Sequence, residues 1–131
     1  MTEPIFLTRQ SVEEIHAASI KEFGGSLGIR DENALESAIA QPVHEYLYRQ
    51  ADLFQLAATY AYHIAENQPF VDGNKRAALL AALNFLAQNG IVSNKPEFGY
   101  YDALIAIAEK RLDKAGLAEI FRSSLSNLAT E

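Results

Sequence analysis

From Ala77 to Leu83 the chain reads Ala-Ala-Leu-Leu-Ala-Ala-Leu, and Phe85 and Leu86 follow. A helix over this stretch is apolar nearly all round, so it has no face fit for water and belongs at the centre of a bundle. Its bounds are legible. Two cations precede it, Asn89-Gly90 is a C-terminal stop, and the spacing predicts a helix from about Asn74 to Gln88. Everything else in the chain has to supply its cover.

The other segments read as that cover. Ile5-Phe6-Leu7 is a short apolar lead that tucks onto the body, and Thr8 or Ser11 then caps a first helix with Val12, Ile15, Ser19, Ile20 and Phe23 on one face. Gly24-Gly25 ends it. After a loop to Arg30, Asp31 caps a short second helix carrying Leu35, Ala38 and Ile39, which the proline at 42 is expected to stop. Val43 to Gln50, with His44, Tyr46, Tyr48 and Arg49, lacks clean periodicity and reads as an exposed loop or flap. Asp52 caps a third helix whose apolar set, Leu53, Leu56, Ala57, Tyr60, Ala61 and Ile64, follows the helical period closely. Beyond a polar loop through Pro96, Tyr100 to Leu112 forms a fifth helix, and Asp113 caps a sixth carrying Leu117, Ile120, Phe121 and Leu125. Convincing alternating strands are absent, although residues 91–93 or the flap could form a small strand pair. The expected fold is all-α, a compact bundle of about six helices around a buried central one.

Composition bounds the function. With 131 residues the chain is long enough for one domain, residues 1–131, burying roughly two-thirds of its unfolded surface. It has no cysteine, which excludes disulfides and thiolate metal sites, and three scattered histidines make a zinc site unpromising. A net charge of −6 argues against binding DNA by itself, because affinity for the phosphate backbone comes from clustered Lys and Arg. No segment approaches the ~20 apolar residues of a membrane span, so no membrane partner is expected and a cytoplasmic location is.

The chemistry concentrates in Asn67-Gln68-Pro69-Phe70-Val71-Asp72-Gly73-Asn74-Lys75-Arg76, immediately before the apolar run. The first N–H groups of a helix lack partners and carry the positive end of its dipole, so an anion can sit there. Gly73 lets the backbone approach closely, Asn74 can donate from its side chain, and Lys75 and Arg76 add two full charges. Asp72 repels phosphate unless a divalent cation lies between them, which makes it a candidate magnesium ligand. The constellation reads as a nucleotide-phosphate cradle. A plain turn with a solvated basic cap would explain Asp-Gly-Asn, but neither two cations opening so apolar a helix nor Pro69-Phe70 ahead of it.

In this order the pieces resemble the Fic/Doc superfamily, and within it the Doc (death-on-curing) toxins of bacterial toxin–antitoxin pairs. The resemblance runs through Phe6-Leu7-Thr8, Ile15-His16, Gly24-Gly25, Gly28-Ile29-Arg30-Asp31 and Leu35-Glu36-Ser37-Ala38. Its centre is Gln68 to Arg76, which stands where the family has His-x-Phe-x-Asp-Gly/Ala-Asn-Lys-Arg. It implies a transferase that moves part of a nucleoside triphosphate onto a protein hydroxyl. AMP-transferring Fic enzymes have Gly-Asn-Gly-Arg and a second arginine. Here Lys75 replaces that glycine and Leu79 stands at the second arginine, as in the Doc branch, which transfers the γ-phosphate and has elongation factor Tu as its associated target. By the same analogy Asp72 would hold Mg2+, Asn74 and the loop amides would hold phosphate oxygens of ATP, and Lys75 and Arg76 would offset developing charge. Phe70 would be a buried anchor. The flap with Tyr46, Tyr48 and Arg49 would hold the target segment through backbone contacts.

One position departs from the pattern. The family's catalytic histidine aligns with Gln68, and an amide is not a usable base near neutral pH, so the chain reads as a crippled transferase. Either Gln68 is an inactivating substitution in an otherwise intact toxin, or it is the natural residue of a degenerate member that only binds. His63, His16 and His44 read as packed, capping or loop histidines rather than substitutes for it. An AMP-transferring enzyme and a nucleotide- or antitoxin-binding pseudoenzyme remain the other readings. The inhibitory Ser/Thr-x-x-x-Glu-Gly/Asn motif of some Fic proteins is absent, and Ser126 to Glu131 has the wrong spacing for it. Inhibition is therefore expected in trans, from an antitoxin whose disordered tail folds onto an apolar groove.

Overall fold

The computed structural model describes residues 3–93 and 100–127. In chain order these form α1 (Arg9–Phe23), α2 (Glu32–Arg49), α3 (Leu53–Asn67), α4 (Asn74–Gln88), β1 (Ile91–Ser93), α5 (Tyr101–Ala108), α6 (Lys114–Ser124) and β2 (Leu125–Asn127). The protein is all-α apart from one small strand pair, in which β1 runs antiparallel to β2 with Val92 opposite Ser126. The polar loop through Pro96 and the last four residues lie outside the described residues.

The centre is a pair of helices. On α4, Ala77, Ala78, Leu79, Ala81, Ala82, Phe85 and Leu86 are buried, as expected, while Leu80 and Leu83 keep part of their surface. On α3 the run from Leu56 to Ala61 is buried without a break, together with Ile64 and Ala65. Alanines dominate both, which lets the two backbones approach closely, and α3 makes its most extensive contact with α4 while also packing against α2 and α6. Phe85 and Tyr60 lock the pair, their ring centroids 5.1 Å apart. The N-terminal lead straps across this core. Leu7 is buried with its amide donating to the Tyr60 hydroxyl at 2.9 Å, and the backbone of Ile5 bonds the side chains of Gln88 and Asn89.

Helix starts obey local chemistry. Thr8, rather than Ser11, is the first N-cap, and Ser11 completes its capping box from the third helical position. Asp31, Asp52 and Asp113 each cap the following helix through a carboxylate oxygen, satisfying an amide with no helical partner. Arg9 reaches from α1 to pair with Glu32 and Glu36 on α2.

Three expected boundaries are corrected. The second helix does not stop before Pro42; it continues to Arg49, so the segment Val43 to Gln50 is helix and not a loop or flap. Proline inside a helix costs about 3 kcal/mol, but Pro42 is buried and extends the stripe Leu35, Ala38, Pro42, Tyr46 against the core, so tertiary packing overrides the local penalty. Tyr46 is turned against the Phe6 ring, Tyr48 is 82% exposed beside His44, and Arg49 faces Glu45 one helical turn back. The fifth helix ends at Ala108, not Leu112, because Lys110 takes a left-handed φ of 61° and the amides of Arg111 and Leu112 turn back to the Ala106 carbonyl. Leu125 belongs to β2, not to the sixth helix, since pairing with β1 draws the chain into an extended course.

Candidate active site

The site is built where α3 ends, α4 begins and the loop between α1 and α2 returns. At the end of α3 Gln68 adopts left-handed angles (φ 48°, ψ 57°), uncommon for a residue other than glycine, and its amide closes the helix onto the Ile64 carbonyl. Arg30 holds that conformation. Its Nε donates to the Gln68 carbonyl and a terminal nitrogen to the Asn67 carbonyl, both at 2.7 Å, which satisfies two of the orphan carbonyls at the helix C-terminus with a cation where the dipole favours one. The Arg30 and Asp31 amides bond the Pro69 carbonyl, and the Val71 amide bonds the Gly28 carbonyl at 3.0 Å. The result is an isolated antiparallel bridge between Ile29 and Phe70. The segment laid against the motif is therefore the loop 24–31, not residues 43–50.

Phe70 is the expected anchor, 1% exposed. Below it the buried His16 ring stacks parallel at 3.8 Å, and His16 Nε2 lies 2.7 Å from the Asp72 carbonyl oxygen. A carbonyl only accepts, so Nε2 carries the proton. Asn74 was expected to donate to an anion. Its side chain is engaged in the loop instead, accepting from the Phe70 amide and donating to the Phe70 carbonyl, both at 2.9 Å. One amide proton of Nδ2 remains for a ligand.

At the mouth, Gly73 is the N-cap of α4 with φ 74°, and no side chain caps the helix. The first turn holds no acid; it holds Lys75 and Arg76. The amides of residues 74–76 thus lie at the positive end of the dipole beside two cations, an arrangement that suits a phosphate. The positive φ at 73 favours glycine, and the Cβ of any other residue would also press on the Ile20 side chain at 3.1 Å. Asp72 is exposed, with one carboxylate oxygen accepting from the Gly73 amide at 2.9 Å and the other from the Ser26 amide at 3.1 Å. Each oxygen keeps a lone pair, so the carboxylate is oriented but not used up and suits a hard divalent cation. Among the described residues no group of three or more His, Asp or Glu could hold a metal ion alone. A cation at Asp72 would complete its shell with phosphate oxygens and water.

The remaining candidates lie elsewhere. Leu79 is in the core and offers nothing to the site. His63 is half-buried, and Lys114 Nζ donates to its Nε2 at 3.2 Å; burial above all, with Lys114 assisting, pushes its pKa down to about 4. His44 is exposed on α2. The roles of His16 and Arg30 are not evident from the sequence pattern. A histidine on an otherwise apolar helix face, and an arginine just before an N-cap, were the available signals.

A model of the Fic/DOC family matches residues 6–86, which takes in α1 to α3, all but the last two residues of α4, and every part of this site. The chain belongs to the Fic/DOC family. Two Doc proteins are similar to it. It is 34% identical over 110 residues to "Protein kinase doc" of Escherichia phage P1, covering 82% of this chain and 86% of that one. It is 41% identical over 93 residues to "Toxin Doc" of Mycolicibacterium smegmatis, covering 70% and 68%. In this Fic/DOC domain the parts outside the matched segment, β1, α5, α6 and β2, lie beyond the motif and contribute to the core through Tyr100, Leu104, Ile107, Leu117 and Phe121.

Proposed function

We propose that this chain is a Doc-type toxin whose site takes ATP with Mg2+ and is built to move the γ-phosphate to a hydroxyl of a translation factor such as elongation factor Tu, and that Gln68 disables the transfer. The observation that carries the reading is the uncapped start of α4, with Lys75 and Arg76 in its first turn and the oriented Asp72 carboxylate beside it. Asp72 would hold the cation, whose contribution is to neutralise charge between the phosphates. The amides of residues 74–76, the remaining Asn74 donor, Lys75 and Arg76 would bind phosphate oxygens and offset charge on the group in flight.

Transfer forms a bond from the target oxygen to the γ-phosphorus and breaks the bond to ADP, while the hydroxyl proton leaves to a base. Gln68 stands at the mouth of the loop, exposed, but an amide cannot take that proton near pH 7. Losing such a base costs about 10²–10⁴ in rate. AMP transfer is the second reading, and the burial of Leu79, which leaves no second cation at that position, speaks against it. A binding-only protein is the third. Inhibition by a cognate antitoxin acting in trans fits the two Doc relatives, and action in the cytoplasm follows from a translation-factor target. No helix among the described residues is long and apolar enough to cross a membrane.

The test compares this protein with Gln68→His, using γ-labelled and α-labelled ATP, magnesium and elongation factor Tu as acceptor. Label from the γ-position, passed only by the histidine form, is the expected result. Label from the α-position establishes AMP transfer. No transfer from either form, with ATP still bound, overturns the kinase reading in favour of a binding protein.

A further inference from the structure

Three side chains of α1 back the anion site at helical spacing. His16 bonds the Asp72 carbonyl, the Ile20 methyl lies against Gly73, and Phe23, one turn on, lies under Arg76 with the guanidinium carbon 3.9 Å from the ring centroid. The first two are buried and serve the core as well. Phe23 is different, 49% exposed at the last position of its helix, where a ring of that size gains little from burial. What it does meet is the Arg76 guanidinium, whose carbon lies over the ring at 3.9 Å from its centroid.

We propose that Phe23 is a positioning residue for phosphate binding. It fixes the plane of the Arg76 guanidinium over the start of α4 so that the edge of that plane is presented to the anion. This rests on the nucleotide reading above. The physics is specific to arginine on an aromatic face. Stacking uses the π-face of the cation and leaves its N–H groups in the plane, directed along the ring surface and beyond it, where a phosphate can accept two in parallel. An arginine side chain loses rotamer entropy when a ligand immobilises it, and the contact with the ring removes part of that loss before binding. Lys75, a compact charge on a flexible stem, cannot be oriented in this way.

The test uses the protein as it is, titrating ATP with magnesium into the parent, Phe23→Leu, Phe23→Tyr, Arg76→Ala and the Phe23→Leu/Arg76→Ala double variant, with the Arg76 side-chain N–H resonance followed by NMR. Phe23→Leu is expected to weaken ATP about two- to five-fold, the range of an exposed cation–π contact, and Phe23→Tyr to retain parental affinity. In the Arg76→Ala background Phe23→Leu is expected to cost nothing further. The Arg76 resonance should carry a ring-current shift in the parent and the tyrosine variant that vanishes with leucine. An equal loss with and without Arg76, or an Arg76 resonance indifferent to the ring, overturns the proposal. ATP that binds the parent and Phe23→Leu alike overturns it while the nucleotide reading stands. Failure of the parent to bind ATP sinks both, and the NMR shift then reports a stack that serves only the fold.

Discussion

His16 and Asp72, 56 residues apart, are joined by one hydrogen bond: the imidazole Nε2–H of the first donates at 2.7 Å to the backbone carbonyl of the second. The same ring stacks on Phe70 within 3° of parallel. One buried side chain therefore fixes both the anchor of the motif loop and the peptide that aims its carboxylate.

Replacing His16 should separate these two contributions. His16→Phe keeps the stack and leaves the Asp72 carbonyl without its donor, a loss of about 1–3 kcal/mol. His16→Ala also removes the stack and opens a void, so it should cost more than the phenylalanine variant. Urea unfolding measures both, and equal stability of the two variants would show that the hydrogen bond alone matters.

Asn74 is predicted to be a clamp first and a ligand second. Asn74→Ala strands the amide and carbonyl of Phe70, and a loss of about 1–3 kcal/mol in unfolding free energy is expected along with weakened ATP binding. Asn74→Asp keeps the acceptor for the Phe70 amide and should fall between alanine and the parent on the stability scale.

Two adjacent glycines provide a matched pair. Gly24 and Gly25 both have positive φ, 91° and 116°, so alanine strains the backbone at each by about 1–3 kcal/mol. A Cβ at 24 would meet nothing within 4 Å, whereas one at 25 would lie 2.8 Å from the Asp72 carboxylate and 2.9 Å from Ile20. Gly25→Ala should therefore displace Asp72 and weaken magnesium-dependent ATP binding, which Gly24→Ala should leave intact. Calorimetric titration of both variants decides it.

His63 makes stability depend on pH. Its pKa falls from 6.5 in the unfolded chain to about 4 in the fold, through burial and the neighbouring Lys114, against the opposing pull of Glu45 and Glu66. Between those values the unfolded chain binds the extra proton, so the contribution is complete above about pH 6.5 and is lost as the pH falls toward 4. The group is partly solvated, which reduces the effect to on the order of 1–2 kcal/mol. Unfolding free energies measured from pH 7 to 4 should show this slope, and His63→Gln should flatten it.

Much of the fold was legible in the sequence because its signals are local. Asp31, Asp52 and Asp113 mark helix starts by chemistry that operates within one turn, and the Asn74–Gln88 helix was bounded correctly by the motif before it and Asn89-Gly90 after it. The misread positions are those where distant contacts outvote local preference. Pro42 would end an isolated helix but is carried through on the stripe that meets Phe6 and the core. Leu125 has a helical period but a strand partner.

The site divides in the same way. The placement of Asp72, Gly73, Lys75 and Arg76 at the start of α4 was readable because a turn followed by a helix start is a contiguous pattern of backbone and charge. Their supports were not, because His16, Phe23 and Arg30 are separated from the motif by 37 or more residues and reach it only once α1 and the loop 24–31 are packed against it. Sequence by itself determined which charged side chains and which backbone turn meet at the start of α4. Tertiary structure alone decided what holds them in place, since a hydrogen bond or stacked ring between remote residues depends on geometry that no local spacing encodes.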